Sequence, residues 1–251
     1  MLKTKEVVLM SRNPVLREKD RWPAQKPSVL IFDVNETLLD FEAMNPLFER
    51  VFGDKKVMRE WLGHLFMYSM TITLSGLYAD FWAIGAGCFE MVGTIHGIDV
   101  TPQDTKALRQ AMRTMPAHGD CEEGLQLLKD AGFRMVTLTN SPMTPGEKTP
   151  LQNAGLDRFF VKQYSIENCR AYKPAGSTYH FVAQDLEVAP ADCCMVAAHV
   201  WDTIGGRAAG MAGGLITRLG NAVLPIPGLP QPNAIGATLP DLARDIIGQW
   251  R

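Results

Sequence analysis

The stretch Val29-Leu30-Ile31-Phe32-Asp33-Val34-Asn35-Glu36-Thr37-Leu38-Leu39-Asp40 decides how this chain is read. Four consecutive apolar residues predict a strand buried on both faces, as in a parallel sheet covered by helices. An aspartate follows where that strand should end. Open α/β sheets bind their ligands at the carboxyl ends of the strands, so Asp33 is a candidate nucleophile.

Beyond this strand the pattern divides in two. From Pro46 to Met115 apolar residues recur at three-to-four spacing, through Trp61-Leu62, Leu65-Phe66 and Ile72 and again through Tyr78, Phe81-Trp82, Cys88-Phe89 and Val92. This predicts helices, one of them starting at Thr101 as N-cap with Pro102 at its first position. After Met115-Pro116 helix and strand alternate. Helices are expected over 122–131, 149–154, 174–184 and 201–211, with strands over 134–138, 159–162, 193–197 and 214–217. A proline-rich loop at 224–232 precedes a terminal helix from about Leu239. Alternation of this kind predicts an α/β fold, a doubly wound (Rossmann-like) parallel sheet, here interrupted after its first strand by an all-helical insert. The expected organisation is an N-terminal extension over 1–27, a core formed by 28–44 and 116–251, and a helical cap over 45–115.

Composition narrows the functional classes. A chain of 251 residues with 46% hydrophobic content can bury a sizeable core. The formal net charge of −2 supplies no basic field for nucleic acid. No apolar run approaches the roughly 18 residues that span a bilayer. The apolar patch Val7 to Met10 is too short for a secretory segment. The five cysteines are odd in number and lack C-x-x-C spacing, which predicts free thiols and a reducing, cytoplasmic setting. A small molecule is the expected partner, with neither nucleic acid nor membrane.

Asp-x-x-x-Thr-Leu after an apolar strand, here Asp33 to Leu38, resembles the first motif of the haloacid dehalogenase superfamily, whose aspartate forms a covalent aspartyl intermediate. Three later segments resemble the remaining motifs in order: Val136-Thr137-Leu138-Thr139-Asn140-Ser141, Lys173-Pro174 with Tyr179 six residues after the lysine, and Val196-Ala197-Ala198-His199-Val200-Trp201-Asp202. Phosphatases of the superfamily carry a second aspartate two residues after the nucleophile, which protonates the leaving alkoxide. Here that position is Asn35, and an amide cannot do this work. A halide leaving group needs no such proton. Metal-dependent members also place two acids in the fourth segment to hold Mg²⁺, whereas here Asp202 stands alone, so no metal and no cofactor are expected.

The resemblance therefore points to the type II (S)-2-haloacid dehalogenases, as a divergent branch, and implies hydrolysis of a small 2-haloacid to a 2-hydroxy acid. In that reading Asp33 attacks C2, Lys173 keeps Asp33 ionised, and Asp202 orients the water that opens the ester. Thr37 belongs to the nucleophile motif, Asn140 orients the attacked aspartate, and Thr139 binds a carboxylate. Asn35 and Tyr179 belong to the substrate site, with Phe81 and Trp201 lining the pocket. The resemblance also implies a homodimer. Three positions depart from it. The arginine that receives halide falls on Leu62, which leaves His64 and His199 as candidate replacements, His199 stands where the fourth motif usually carries an amide, and Ala197 takes the place of a hydroxyl. Two alternatives stay open: hydrolysis of another small 2-substituted acid, such as a strained ring amine, and a feebly active relative that serves as a binding protein.

Overall fold

A computed structural model describes residues 22–23 and 25–249. Residues 1–21 of the expected N-terminal extension lie outside the described residues. Among the described residues the sheet has six parallel strands in the order β3-β2-β1-β4-β5-β6, namely β1 (Val29–Phe32), β2 (Arg134–Thr139), β3 (Lys162–Ser165), β4 (Cys193–Ala197), β5 (Ala212–Ile216) and β6 (Ala234–Gly236). All four residues of β1 are fully buried, as their unbroken apolar run requires, because β2 and β4 flank the strand and helices cover its faces.

Between β1 and β2 the chain forms four helices: α1 (Asn45–Phe52), α2 (Val57–Leu74), α3 (Phe81–His96) and α4 (Pro102–Arg113). Their ends follow local chemistry. Asp80 caps α3 through the backbone N–H groups of Trp82 and Ala83, and Gly97 closes it at φ 67°. Thr101 caps α4 reciprocally with Asp104, and Pro102 sits in its first turn. Phe48, Trp61 and Phe89 form an aromatic cluster that joins α1, α2 and α3, and the Trp61 indole donates to the Gly85 carbonyl at 2.9 Å.

The remaining helices are α5 (Cys121–Asp130), α6 (Pro150–Asn153), α7 (Gly176–Asp185), α8 (Val200–Ala208) and α9 (Leu239–Gly248). Two features depart from the expected pattern. The strand expected over 159–162 begins at Lys162, because Asp157–Phe159 forms a 3-10 turn and Phe160 packs edge-on against Phe32. The three-residue β6 follows the proline-rich loop and is too short to announce itself by alternation. All five cysteines are free. Among the described residues no helix is long and apolar enough to cross a membrane.

The strand order places the topological switch point between β1 and β4, where successive connections leave in opposite directions. The carboxyl ends of β1, β2 and β4 therefore open one crevice. Asp33, Thr139 and Ala197-Ala198-His199 lie at its rim.

Candidate active site

Asp33 continues β1 by one residue, its backbone N–H donating to the Val196 carbonyl at 2.9 Å, so the sheet fixes where its side chain emerges. Each carboxylate oxygen has an assigned donor. Lys173 Nζ lies 2.8 Å from Oδ1, and Thr37 Oγ1 donates to Oδ2 at 2.6 Å. Thr37 is itself anchored, since its hydroxyl accepts the Ala198 backbone N–H at 2.9 Å. The first and fourth motifs thus grip the Asp33 carboxylate together.

Lys173 is 1% exposed, and a buried ammonium requires compensation. Its three protons go to Asp33 Oδ1, to Asp202 Oδ2 at 2.5 Å and to the Leu138 carbonyl at 2.9 Å. Tyr179 donates its hydroxyl proton to Asp202 Oδ1 at 2.6 Å. Gly205 permits this approach, because a Cβ there would lie 2.4 Å from the Tyr179 hydroxyl. Burial alone would raise the Asp33 carboxyl, but Lys173, aided by His199, holds it well below the usual carboxylate range. Burial pushes Asp202 upward, reinforced by the Asp33 charge and opposed by Lys173. The pair is therefore asymmetric, with Asp33 ionised and Asp202 the more basic neighbour.

A second charged chain meets Asp33 from the other side. His199, 5% exposed, sits with Nδ1 3.8 Å from Asp33 Oδ2 and Nε2 2.6 Å from Glu36 Oε2, the latter an ion-pair contact outside hydrogen-bond alignment. Glu36 pairs in turn with Arg59 of α2, which also pairs with Glu42. Glu36 holds φ at 65°, in the left-handed region where glycine is at ease and a side chain costs roughly 1–2 kcal/mol. His199 is packed by the rings of Phe66 at 4.7 Å and Trp201 at 5.1 Å. Burial would lower its pKa, but Asp33 and Glu36 raise it to about 9.

This histidine makes stability depend on pH. Its ordinary value is 6.5 and its folded value about 9, so between these the native state binds a proton that the unfolded chain does not. The contribution is complete below 6.5 and disappears as pH rises through about 9, for an expected loss of roughly 3 kcal/mol. Urea unfolding across this window should show the decline in the wild type and a much flatter profile in His199→Gln. Equal slopes in both proteins would contradict the assignment.

The remaining residues expected at the site are placed as follows. Asn35 donates to Ser141 Oγ at 3.0 Å, and Thr139 Oγ1 accepts the Ser141 backbone N–H at 3.1 Å. Asn140 accepts the backbone N–H of Lys173 at 3.2 Å, so it positions the lysine segment and bonds to Lys173 instead of Asp33. Phe81 is buried against Tyr172, the neighbour of Lys173, at 5.7 Å, and Trp201 has Lys173 Nζ 5.8 Å from its ring centre. Of the positions named for the halide site, His199 faces Asp33, and the other two are placed elsewhere. Leu62 is buried in the apolar core, and His64 stacks on Tyr68 with no hydrogen bond or ion pair to Asp33. On α2 the side chains that reach the motif residues are Arg59 and Phe66. Glu36, Arg59, Phe66 and Ser141 are the members that sequence reading missed. Glu36 and Ser141 stood inside quoted motifs, whereas nothing local marks Arg59 or Phe66.

The donor set does not suit Mg²⁺: Asn35 offers no charge, and both Asp202 oxygens already accept from Lys173 and Tyr179. Among the described residues no group of three or more His, Cys, Asp or Glu is disposed to hold a metal ion.

Comparison with known proteins agrees with this geometry. (S)-2-haloacid dehalogenase 1 of Pseudomonas sp. (strain CBS-3) is 29% identical over 183 residues, covering 71% of this chain and 79% of that protein. (S)-2-haloacid dehalogenase 4A of Burkholderia cepacia is 29% identical over 197 residues, covering 76% and 83%. The structure of L-2-haloacid dehalogenase from Xanthobacter autotrophicus with chloropropionic acid covalently bound superposes with a TM-score of 0.78 at 22% identity, covering 88% of this chain and 98% of that one. The family model for haloacid dehalogenase-like hydrolases matches residues 27–210, a span that holds every motif residue from Asp33 to Asp202. This chain therefore belongs to the haloacid dehalogenase-like hydrolases.

Proposed function

We propose that this protein hydrolyses small (S)-2-haloacids to 2-hydroxy acids through a covalent ester on Asp33, without a metal ion. The observation that carries the reading is the Lys173 ammonium shared between Asp33 and Asp202, together with an amide at Asn35 in place of a proton donor. The lysine keeps Asp33 anionic, as a displacing nucleophile must be. Asp33 attacks C2 from the face opposite the halogen, the carbon–halogen bond breaks with inversion, and the halide leaves with the electron pair. Water then adds to the Asp33 carbonyl carbon. Asp202, the more basic carboxylate, takes the proton, and the 2-hydroxy acid departs. The helices over 45–115 are read as a cap that excludes bulk water from this crevice. The names of the curated relatives support the substrate class. A homodimer in the cytoplasm completes the proposal, in keeping with the family resemblance and the free cysteines.

Incubation with (S)-2-chloropropionate and with (S)-2-bromopropionate in the presence of EDTA should release halide and yield the (R)-hydroxy acid. In single turnover in ¹⁸O-water the heavy oxygen should enter the Asp33 carboxylate. Silence across fluoro-, chloro- and bromo-acids, or label in the product alone, would sink the proposal. A second reading, opening of a strained ring amine beside a carboxylate, is favoured by the buried cationic histidine, which could protonate a leaving amine. Product mass separates the two.

A further inference from the structure

Received at the nucleophile is one donor that the mechanism above leaves unused. His199 is almost wholly buried, and among the described residues neither ring nitrogen makes an aligned hydrogen bond. Nε2 faces Glu36 as an ion pair, while Nδ1 faces the Asp33 side at 3.8 Å, beyond hydrogen-bond reach. A buried ring N–H without a partner is costly to keep, and groups of this kind mark positions where a ligand supplies the missing acceptor. The ring cannot drift away, because Phe66 and Trp201 pack against it.

Its surroundings also fix its charge. From the β1 loop it faces Asp33 and Glu36, from α2 it meets the apolar Phe66, and on its own helix it meets Trp201. Lys173 lies across Asp33, and Arg59 lies behind Glu36. Glu36 occupies a left-handed backbone position, and a residue that tolerates such a conformation there is held by its contacts. These contacts are His199 and Arg59 at its carboxylate and His118, whose Nε2 lies 3.0 Å from its carbonyl oxygen.

We propose that His199 is the catalytic donor to the leaving group of this site, its Nδ1–H giving the departing halide a charge-assisted hydrogen bond that is strongest for fluoride, the smallest and most basic, while Glu36, fixed by Arg59, is the positioning residue that keeps the ring cationic. The inference rests on the dehalogenase reading. As Asp33 forms its bond to C2, the C–F bond breaks and its electron pair leaves on fluorine. Fluoride leaves as the anion, held by the Nδ1–H, and His199 stays cationic. Hydrolysis of the ester then consumes one water: its oxygen joins the Asp33 carboxylate, one of its protons passes to the alkoxide, and the other, taken up by Asp202, is released to solvent. The sum is haloacid plus water giving hydroxy acid, fluoride and a proton. Bromide, a weak base, needs the contact far less.

The test compares single-turnover rates on 2-fluoropropionate and 2-bromopropionate for the wild type, His199→Asn and Glu36→Gln, alongside ¹⁵N-histidine NMR of the wild type titrated with sodium fluoride. In His199→Asn the fluoro substrate should slow by about a hundredfold, the scale of a lost charge-assisted hydrogen bond, and the bromo substrate by less than about tenfold. In Glu36→Gln, which keeps the volume and removes the charge, the basic limb of the fluoro pH profile should move down by about one pH unit or more. Fluoride should shift the His199 ring nitrogens. Equal losses on both halogens, or an unmoved basic limb, would overturn the proposal, and the Glu36→Gln arm decides if His199→Asn does not fold. Failure of the dehalogenase reading is separately visible as an Asp33 carboxylate that takes up no ¹⁸O with any haloacid. In that case a fluoride-shifted His199 ring still upholds the donor, and an unresponsive ring overturns it.

Discussion

Asp33→Asn is expected to abolish turnover, with a loss of at least about 10⁴-fold, the scale on which removing a nucleophile acts in covalent catalysis. The substitution preserves shape and burial, so the effect isolates charge and nucleophilicity. The neighbours are left nearly balanced. Lys173 still faces Asp202, and His199 still faces Glu36, so the variant should fold. It also removes a carboxylate that Lys173 and His199 hold ionised against burial, so the variant should lose less stability on acidification than the wild type. The sign follows from the direction of the shift. A carboxylate with a depressed folded pKa contributes stability above its unfolded value and loses it as pH falls through the folded one. Halide release measured over days, with fluorescence-monitored unfolding to confirm the fold, checks both parts. Activity above about one per cent of wild type would remove Asp33 from the nucleophile's role, because such a residue corresponds to a loss of only about 3 kcal/mol in barrier.

Lys173→Met should be the most damaging change to the fold. The ammonium is 1% exposed and holds two carboxylates, one of them fully buried. Removing one partner of a buried ion pair costs about 3–5 kcal/mol, since the remaining charge is left uncompensated in a poor solvent. Here two charges are left, and they face each other. One carboxyl should then take up a proton, which raises its folded pKa above the unfolded value. A group shifted upward contributes stability below its unfolded pKa and loses it as pH rises through the folded one. The variant should accordingly be more stable near pH 5 than near pH 8, a dependence opposite in sign to that of Asp33 in the wild type. Turnover should fall sharply at both values, because Asp33 loses the ammonium that pairs and orients it, and a protonated Asp202 cannot take a proton from water. A variant as stable as wild type at pH 8 would show that the three-way charge cluster does not form.

The chain's own pattern announced much of this. Val29 to Phe32 specified a strand buried on both faces, and alternation after Met115 specified a parallel sheet with crossover helices. A cap was legible where one residue's chemistry suffices, as with Thr101-Pro102 at α4. Boundaries that depend on packing were not. Phe160 reads as strand by its neighbours, yet its ring belongs against Phe32, and the pairing of β3 starts after it.

The same division runs through the site. Asp33, Thr37, Lys173 and Asp202 could be named because each sits at a strand end or beside a motif whose spacing is local, and the sheet then had little freedom in bringing them together. What surrounds them on the side facing the inserted helices could not be named. Arg59 meets Glu36 across 23 residues, and Phe66 meets His199 across the whole length of the core, so no periodicity within either segment encodes the contact. His64, two residues from Phe66 on the same helix, turns instead toward Tyr68, because a helix rotates by about 100° per residue and positions two apart face away from each other. By itself the sequence pointed to Asp33, to Lys173 and to the sheet edge that carries them, since these follow from hydrophobic period, motif spacing and strand order. Only the tertiary structure decided which charge stands opposite, because the partners of a buried ion are chosen by which faces of distant elements the core allows to meet.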